Sequence, residues 1–272
     1  SSDVCSSDLI ILATGVQKLT KKHAIVKTLP AAETLGAVDI IASDKTGTLT
    51  KNEMTVQDIV IDEKHYQVTG TGYAPNGQIL YNQQPVELSQ DKPLAMFLTM
   101  GHQANDTFLT ETNGIWEVNG EPTDAAFLSA YYKAFGQKTP QLVEIDRIPF
   151  DSDYRYIARL VENQKHARFI AIKGSPDKLF DLAAHDDQFD RQYWEKQATH
   201  FAQQGKRVIA VGYLDVATTL SEVTHEHLAV EGIKLLGLAA IIDPPRPEVV
   251  EAIADMRRAG IRVKMITGDS AE

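Results

Sequence analysis

The sequence is poor in cysteine, in long hydrophobic runs and in positive charge. Its only cysteine is Cys5, so no intramolecular disulfide can form in the 272 residues. No run of about eighteen apolar residues occurs, so no segment is predicted to cross a membrane. The 27 Lys and Arg are outnumbered by 37 Asp and Glu, which gives a formal net charge of −10. Because nucleic-acid phosphates require a basic face, this balance argues against a nucleic-acid partner.

The composition is typical of a mixed α/β protein. With 43% hydrophobic residues, the chain can bury the core of one large domain or two ordinary ones. Residues 1–9, SSDVCSSDL, show no apolar periodicity and lack the basic segment and apolar core of a signal peptide. They are predicted to be a non-native tail. Residues 10–27 combine apolar positions with a lysine cluster and are predicted to be helical.

The stretch from Ser43 to Thr50 places a carboxylate at the end of an apolar strand. Residues 38–42 are predicted to form that strand, and the chemistry of open α/β sheets collects beyond the carboxyl ends of the strands. Asp44 stands at that edge, and Lys45 and the Thr46–Thr48 loop after it offer groups that suit phosphate oxygens. Such a carboxylate can attack phosphorus and become an aspartyl phosphate. The alternative is a polar turn between two strands.

The C-terminal region contains a second candidate phosphate loop. A helix is predicted from Pro247, with Gly260 just past its end. Residues 261–266 alternate in polarity as a strand does, and Thr267 to Asp269 follow that strand directly. Two strand ends are therefore predicted to face one phosphate. Taken alone, a Thr-Gly-Asp tripeptide more often marks a turn.

Three segments carry a family resemblance. Residues 44–50 resemble the phosphorylation signature of the P-type ion-pumping ATPases, members of the haloacid-dehalogenase-like superfamily. Asp243-Pro244-Pro245-Arg246 resembles the hinge-proximal signature of that family, and Thr267-Gly268-Asp269 resembles its second phosphate loop. The order of these segments along the chain is the order found in the pumps.

The resemblance implies a two-domain α/β organisation. A Rossmann-like phosphorylation domain with a parallel sheet, incomplete in this chain, is expected at residues 10–56 and 235–272. It is interrupted at 57–234 by an inserted α+β nucleotide-binding domain with an antiparallel sheet. The size of the insertion agrees with a separate domain.

Four segments of the insertion resemble nucleotide-site elements of the calcium and sodium pump branch. In residues 120–126, Thr123 is expected to cap a helix, and Asp124, where the family commonly has glutamate, to reach an adenine amino group. In residues 148–155, Phe150 offers a face on which adenine can stack. Arg155 stands where the family has lysine and offers a cation to phosphate.

The other two segments each end or begin a strand. Residues 170–177 form an apolar strand that ends in Lys173 and Gly174, which are expected to lie against the adenine ring or a phosphate. Residues 205–211 lead into a strand and place Arg207 toward phosphate. Taken singly, Phe150 is also typical of a core residue and Lys173 of a solvated strand end, but the four segments together favour nucleotide binding.

The resemblance also implies a mechanism, transfer of the γ-phosphoryl group of Mg-ATP to Asp44. Lys45 and Thr267 would hold phosphate oxygens, Asp44 and the Thr46 carbonyl would bind Mg²⁺, and Asp269 would orient phosphate or metal beside Gly268. Asp243 and Arg246 are counted with the nucleotide-binding residues. Related soluble phosphatases have a catalytic aspartate two residues after the nucleophile, where this chain has Thr46. Because this chain lacks that aspartate, hydrolysis would be slow and the phosphoenzyme would persist.

Two other functions stay open, a soluble phosphatase of the same superfamily and a nucleotide-binding module without turnover. The chain stops at Glu272, before the family's later lysine and Gly-Asp-Gly-x-Asn-Asp loop, so it is expected to bind ATP but to autophosphorylate poorly. The expected partners are ATP and, in the intact protein, a transported cation and the protein's own transmembrane and actuator domains. The expected location is the cytoplasmic face of a membrane. The inserted domain favours the calcium, sodium or related cation branch.

Overall fold

The computed structural model describes residues 6–21 and 24–266, and the chain forms two compact units. Unit 1 comprises the described residues up to Lys51 and from Pro245 onward, and unit 2 is Asn52–Pro244. The sequence predicts boundaries at 56/57 and 234/235. The units divide instead at 51/52 and 244/245, because the strands at 55–61 and 234–242 pair with each other in one sheet of unit 2.

The described residues contain helices and strands throughout both units. The helices are α1 (Ser6–Lys21), α2 (Leu29–Gly36), α3 (Lys92–Gln103), α4 (Pro122–Phe135), α5 (Pro176–Ala183), α6 (Arg191–Gln203), α7 (His225–Glu231) and α8 (Pro247–Arg258). The strands are β1 (Ile40–Asp44), β2 (Thr55–Ile61), β3 (Lys64–Val68), β4 (Ile79–Tyr81), β5 (Gln84–Pro85), β6 (Phe108–Thr112), β7 (Ile115–Asn119), β8 (Leu142–Ile148), β9 (Tyr156–Asn163), β10 (Arg168–Gly174), β11 (Arg207–Val216), β12 (Lys234–Ile242) and β13 (Arg262–Ile266). Across 6–21 and 24–266, no helix has both the length and the apolar character to cross a membrane.

Unit 1 contains a parallel pair of strands, β1 and β13. Asp44 is the last residue of β1 and lies opposite Ile266, the last residue of β13. The first strand is shifted by two residues from the predicted 38–42, so Asp44 ends the strand itself rather than following it. Thr267, Gly268 and Asp269 come directly after Ile266 in sequence and lie outside the described residues.

Unit 2 is built on a nine-stranded sheet with the order β5-β4-β3-β2-β12-β11-β10-β9-β8. Every neighbouring pair in it is antiparallel. Strands β6 and β7 form a separate hairpin. The predicted fold class is confirmed, because the described chain is mixed α/β with one large antiparallel sheet and one small parallel one.

Helices cover both faces of the large sheet. One core contains buried side chains of α3 and α4, and the other contains those of α5, α6 and α7. Strand β12 contributes side chains to both cores. Ala239 and Ile241 lie in the first core, and Leu238 and Ala240 lie in the second. A strand buried on both faces needs apolar residues at consecutive positions, and Leu-Ala-Ala-Ile provides them.

Candidate functional site

Unit 2 contains a cavity of about 340 Å³ at the start of α4, where strands β9, β10 and β11 lie side by side. A volume of this order is typical of small-molecule sites. Seven of the nine residues predicted to bind nucleotide line it, together with four that were not predicted. The lining residues are Glu121, Thr123, Asp124, Phe150, Arg155, Ile157, Lys173, Gly174, Ser175, Arg207 and Ile209.

Lys173 is buried at the base of this cavity. Its side chain is 2% exposed, and its Nζ lies 2.7 Å from an Asp124 carboxylate oxygen. The Nζ also donates to the carbonyl of Gly101 at 3.3 Å and lies 4.8 Å from the centre of the Phe127 ring. Burial lowers the pKa of Lys173, and the Asp124 carboxylate opposes that shift. Lys173 is therefore held in place by a carboxylate, a carbonyl and a ring, and the alternative of a solvated strand-end lysine is wrong.

Thr123 has a different role from the predicted helix cap. Helix α4 begins at Pro122, the residue before it, Glu121, occupies the N-cap position, and Thr123 lies in the first turn. Proline is favoured at a first helical position because it has no N–H to leave unpaired. The Thr123 hydroxyl accepts a hydrogen bond of 2.9 Å from the guanidinium of Arg207. The contact joins α4 to β11 at the cavity.

Arg155 and Gly174 approach each other closely where β9 begins and β10 ends. Arg155 has a φ of 56°, in the left-handed region that few residues other than glycine adopt. Its carbonyl accepts a hydrogen bond from the Ser175 N–H at 2.9 Å. A Cβ on Gly174 would lie 2.4 Å from that carbonyl oxygen, so the close approach requires glycine here. The Arg155 guanidinium pairs with Asp177, in the first turn of α5.

The cavity wall contains an exposed aromatic ring and a buried hydroxyl that has no hydrogen-bond partner among the described residues. Phe150 is 61% exposed, so it is not the core residue that the alternative interpretation required. The Ser175 hydroxyl is buried and has no hydrogen-bond partner among the described residues. A buried hydroxyl without a partner is costly. Both groups lie in the cavity wall and are suited to contact a ligand.

The sequence did not predict four of the lining residues, Glu121, Ile157, Ser175 and Ile209. Strand alternation gives a signal for one of them, because Ile209 lies two positions after Arg207 and side chains at that spacing share a face. The signal for Ile157 is its register, since it lies opposite Lys173 in the β9–β10 pair. Glu121 and Ser175 immediately precede the prolines that start α4 and α5.

In unit 1, Asp44 is exposed at the end of β1 and is followed by an irregular turn, Lys45–Leu49. Gly47 has a φ of 76°, which favours glycine. The Arg246 guanidinium donates to the carbonyls of Thr50 at 3.0 Å and Gly47 at 3.2 Å. Lys45 and Thr46 therefore belong to a turn whose backbone carbonyls are bound by the Arg246 side chain. Arg246, predicted with the nucleotide-binding residues, is not part of the cavity wall.

Asp243 likewise does not line the cavity, although it was predicted with the nucleotide-binding residues. Its carboxylate accepts a hydrogen bond from the backbone N–H of Glu53 at 3.3 Å, so it joins the two ends of unit 2. Across residues 6–21 and 24–266, no group of three or more His, Cys, Asp or Glu side chains is arranged to hold a metal ion.

Residues 93–248 match a family model described as the P-type ATPase cytoplasmic domain N. The chain belongs to the P-type ATPases. The matched stretch includes every residue that lines the cavity. The resemblance seen in the sequence is thereby confirmed at the level of the family.

Several P-type ATPases of the cation-transporting kind are similar to nearly the whole chain. A calcium-transporting ATPase of Bacillus subtilis is 38% identical, covering 97% of this chain and 31% of the relative. The cation-transporting ATPase pma1 of Synechocystis is 39% identical over 96% of this chain and 30% of its own length. The mouse calcium-transporting ATPase type 2C member 1 is 32% identical over 97% of this chain. The chain thus spans about a third of these P-type ATPases.

Proposed function

We propose that the cavity of unit 2 binds the adenine nucleotide of an ATP-driven cation pump. The observation that carries the proposal is the cavity wall itself, to which four separate sequence segments contribute Thr123, Asp124, Phe150, Arg155, Lys173, Gly174 and Arg207. An exposed aromatic ring, apolar strand residues and cations in one cavity are the groups that a nucleotide needs. The domain-N match of this stretch agrees with the proposal.

Each part of a nucleotide has a suitable partner in the cavity. Adenine would stack on Phe150 and contact Ile157 and Ile209, because its flat π system gains from aromatic and apolar contact. The buried Ser175 hydroxyl and the free lone pairs of Asp124 would accept or donate at the edge of the base or the ribose. Arg207 and Arg155 would approach the phosphates, since guanidinium groups bind phosphate oxygens through paired N–H donors.

We further propose that Asp44 accepts the γ-phosphoryl group. The support is its position, exposed at the carboxyl end of β1 and in register with Ile266 at the end of the parallel strand β13. Thr267, Gly268 and Asp269 directly follow Ile266 in sequence and would contact the same phosphate. Lys45 would neutralise charge on the transferred group, and Arg246 would keep the turn Lys45–Leu49 in shape.

Mg²⁺ fits the donor set that follows β1. The Asp44 carboxylate and the Thr46 carbonyl are oxygen ligands, which Mg²⁺ prefers, and it commonly takes only one or two carboxylates together with substrate phosphates. When bound there, Mg²⁺ would neutralise phosphate charge as the phosphoryl group is transferred. Asp269 would orient the metal or the phosphate.

At the level of the whole protein, the relatives named above are calcium- and cation-transporting ATPases. We propose the same general activity for the intact protein, with the nucleotide and phosphorylation sites on the cytoplasmic side of a membrane. A transported cation, transmembrane helices and an actuator domain would then be its further partners. Unit 1 corresponds in this proposal to the phosphorylation domain and unit 2 to the nucleotide-binding domain.

An amide-shift titration with ATP tests the nucleotide site. The backbone amides of Phe150, Lys173 and Arg207 are expected to shift in a saturable manner, while those of Phe108 and Ile115 in the β6–β7 hairpin stay unchanged. If ATP leaves the first three amides unmoved, the nucleotide-binding proposal is wrong.

Acid-quenched labelling with [γ-³²P]ATP tests the acceptor. A slow, hydroxylamine-labile label is expected on the chain and is expected to be absent from Asp44→Asn. Asp39→Asn, which removes a carboxylate just before the same strand, provides the matched control and should keep the label. A label that survives Asp44→Asn would overturn the assignment of the nucleophile.

A further inference from the structure

The three cations that line the cavity differ in how far their charge is already balanced. Lys173 is paired with Asp124, and Arg155 is paired with Asp177. Arg207 donates to the neutral hydroxyl of Thr123 and has no carboxylate partner within the described part of the chain. The cavity therefore offers only one cation whose charge is not offset by a contacting carboxylate.

Arg155 is fixed to α5 through both its backbone and its side chain. Its N–H donates to the Asp151 carbonyl at 2.6 Å, and its own carbonyl accepts from Ser175, the residue before α5. Its guanidinium then pairs with Asp177, two residues further on. Because the carbonyl and the guanidinium of Arg155 both contact residues 175–177, the Asp177 carboxylate directs the guanidinium and offsets part of its charge.

The balance of charge has a consequence for ligands that carry phosphates. Asp177 is exposed, so water weakens its field, but a carboxylate in contact with Arg155 still offsets much of the attraction for an anion. The apolar residues Phe150, Ile157 and Ile209 contact the rest of the ligand without regard to phosphate number. Affinity would thus come chiefly from the nucleoside end.

We propose that Asp177 is a specificity-determining residue of the cavity, which by pairing with Arg155 reduces the advantage of a nucleoside triphosphate over the monophosphate. The inference rests on the proposed nucleotide-binding function and deepens it. In this arrangement the triphosphate and the product diphosphate are both held loosely, which favours exchange of one for the other.

Calorimetric titration of the chain with AMP, ADP and ATP, without Mg²⁺ and at low salt, tests the inference. Asp177→Asn removes the charge but keeps an oxygen that can accept from Arg155. It is expected to tighten ATP binding about three- to tenfold and to change AMP binding less than about twofold, because the triphosphate carries more charge.

Asp181→Asn is the matched control. Asp181 lies on the same helix and pairs with Arg191, so the charge change is the same but it is not directed at Arg155. This variant is expected to leave the ratio of AMP to ATP dissociation constants as in the unaltered chain. An equal tightening of ATP in Asp181→Asn would overturn the inference, because it would show a general charge effect.

The substitution Asp177→Asn, made in an Arg155→Gln variant, shows whether the change in the AMP-to-ATP ratio depends on Arg155. In Arg155→Gln, the further change Asp177→Asn is expected to alter the ratio no more than Asp181→Asn does. A full effect in that background would mean that Asp177 repels phosphate directly, and the inference would be wrong. Asp177→Ser, which keeps a polar group in the first turn of α5, replaces Asp177→Asn if that variant does not fold.

The two proposals fail in different ways. If the unaltered chain binds none of AMP, ADP and ATP, the nucleotide-binding function itself is wrong. If it binds all three and Asp177→Asn leaves their ratio unchanged, only the role of Asp177 is wrong.

Discussion

The ammonium group of Lys173 lies 2.7 Å from a carboxylate oxygen of Asp124, and the two side chains are 2% and 17% exposed. The pair joins strand β10 to the first turn of α4 at the wall of the cavity. A buried charge is tolerated only while it has a partner. The same two residues therefore contribute to the stability of unit 2 and to the shape of its candidate site.

Removal of the Asp124 charge is expected to destabilise the chain. In Asp124→Asn, the Lys173 ammonium stays buried without a counter-charge, which costs about 3 kcal/mol of the free energy of unfolding. Urea unfolding at neutral pH measures the loss. The double variant Asp124→Asn/Lys173→Met should recover most of it, whereas Asp181→Asn, which breaks an exposed pair, should change little. A single Asp124→Asn variant as stable as the unaltered chain would contradict the role of the pair.

Phe150→Ala is expected to weaken nucleotide binding without destabilising the fold. Loss of one base-stacking contact costs about 1–3 kcal/mol of binding free energy. Phe150 is 61% exposed, so little burial is lost. Phe108 on β6 is equally exposed at 61% and lies outside the cavity wall, which makes Phe108→Ala the matched control. Calorimetry with ATP compares the two variants, and equal losses would argue against stacking on Phe150.

Arg246→Gln is expected to loosen the turn that follows Asp44. The variant loses the two bonds from the guanidinium to the Gly47 and Thr50 carbonyls. At about 1.4 kcal/mol for the two bonds together, amide exchange in the turn should become about tenfold faster. The Thr50 N–H, which bonds to the Lys45 carbonyl, is the reporter. Arg258→Gln is the control, because it alters an exposed arginine at the last residue of α8, the helix whose N-cap position Arg246 occupies. Exchange at Thr50 that responds equally to both variants would exclude a specific role for Arg246.

His102 is expected to make the stability of the chain depend on pH. Burial, followed by the charges of Lys173 and Arg159, lowers the pKa of His102 from 6.5 to about 4. The unfolded chain then binds a proton at this site below pH 6.5 while the folded chain does not, so stability is greatest above pH 6.5 and falls as the pH drops toward 4. The loss from this one group is up to about 3 kcal/mol.

Urea unfolding at several pH values tests this expectation. His102→Gln should lose less stability on acidification than the unaltered chain, while His200→Gln, which alters an exposed histidine on α6, should lose as much. An unchanged pH profile in His102→Gln would contradict the assignment.

The sequence predicted individual residues of the cavity wall better than it predicted the contacts between them. Phe150 and Lys173 were predicted from the resemblance of their segments to pump motifs, and both line the cavity. The contact of Thr123 with Arg207 joins residues 84 positions apart, and no local pattern indicates such an approach. The predicted cap at Thr123 failed because Pro122, a good first helical residue, starts the helix earlier.

The limits of the two units differ from the predicted domain boundaries for a related reason. Apolar residues in β2 and β12 indicate strands, but the sequence does not state which sheet a strand joins. Their mutual pairing, set by long-range packing, keeps both in unit 2. In unit 1, by contrast, the end of β1 at Asp44 and the limits of α8 and β13 follow from neighbouring residues, and the sequence predicted them within two residues.

Strands β2 and β12 are neighbours, with Thr55 opposite Ile242. The first and last strands of unit 2 therefore meet at one spot in the middle of its sheet. A polypeptide whose ends lie together can be cut out of its host as a single gene segment, or joined end to end and reopened in a surface loop. Residues 52–244 therefore have the geometry of a module that can be inserted at a single point of another chain.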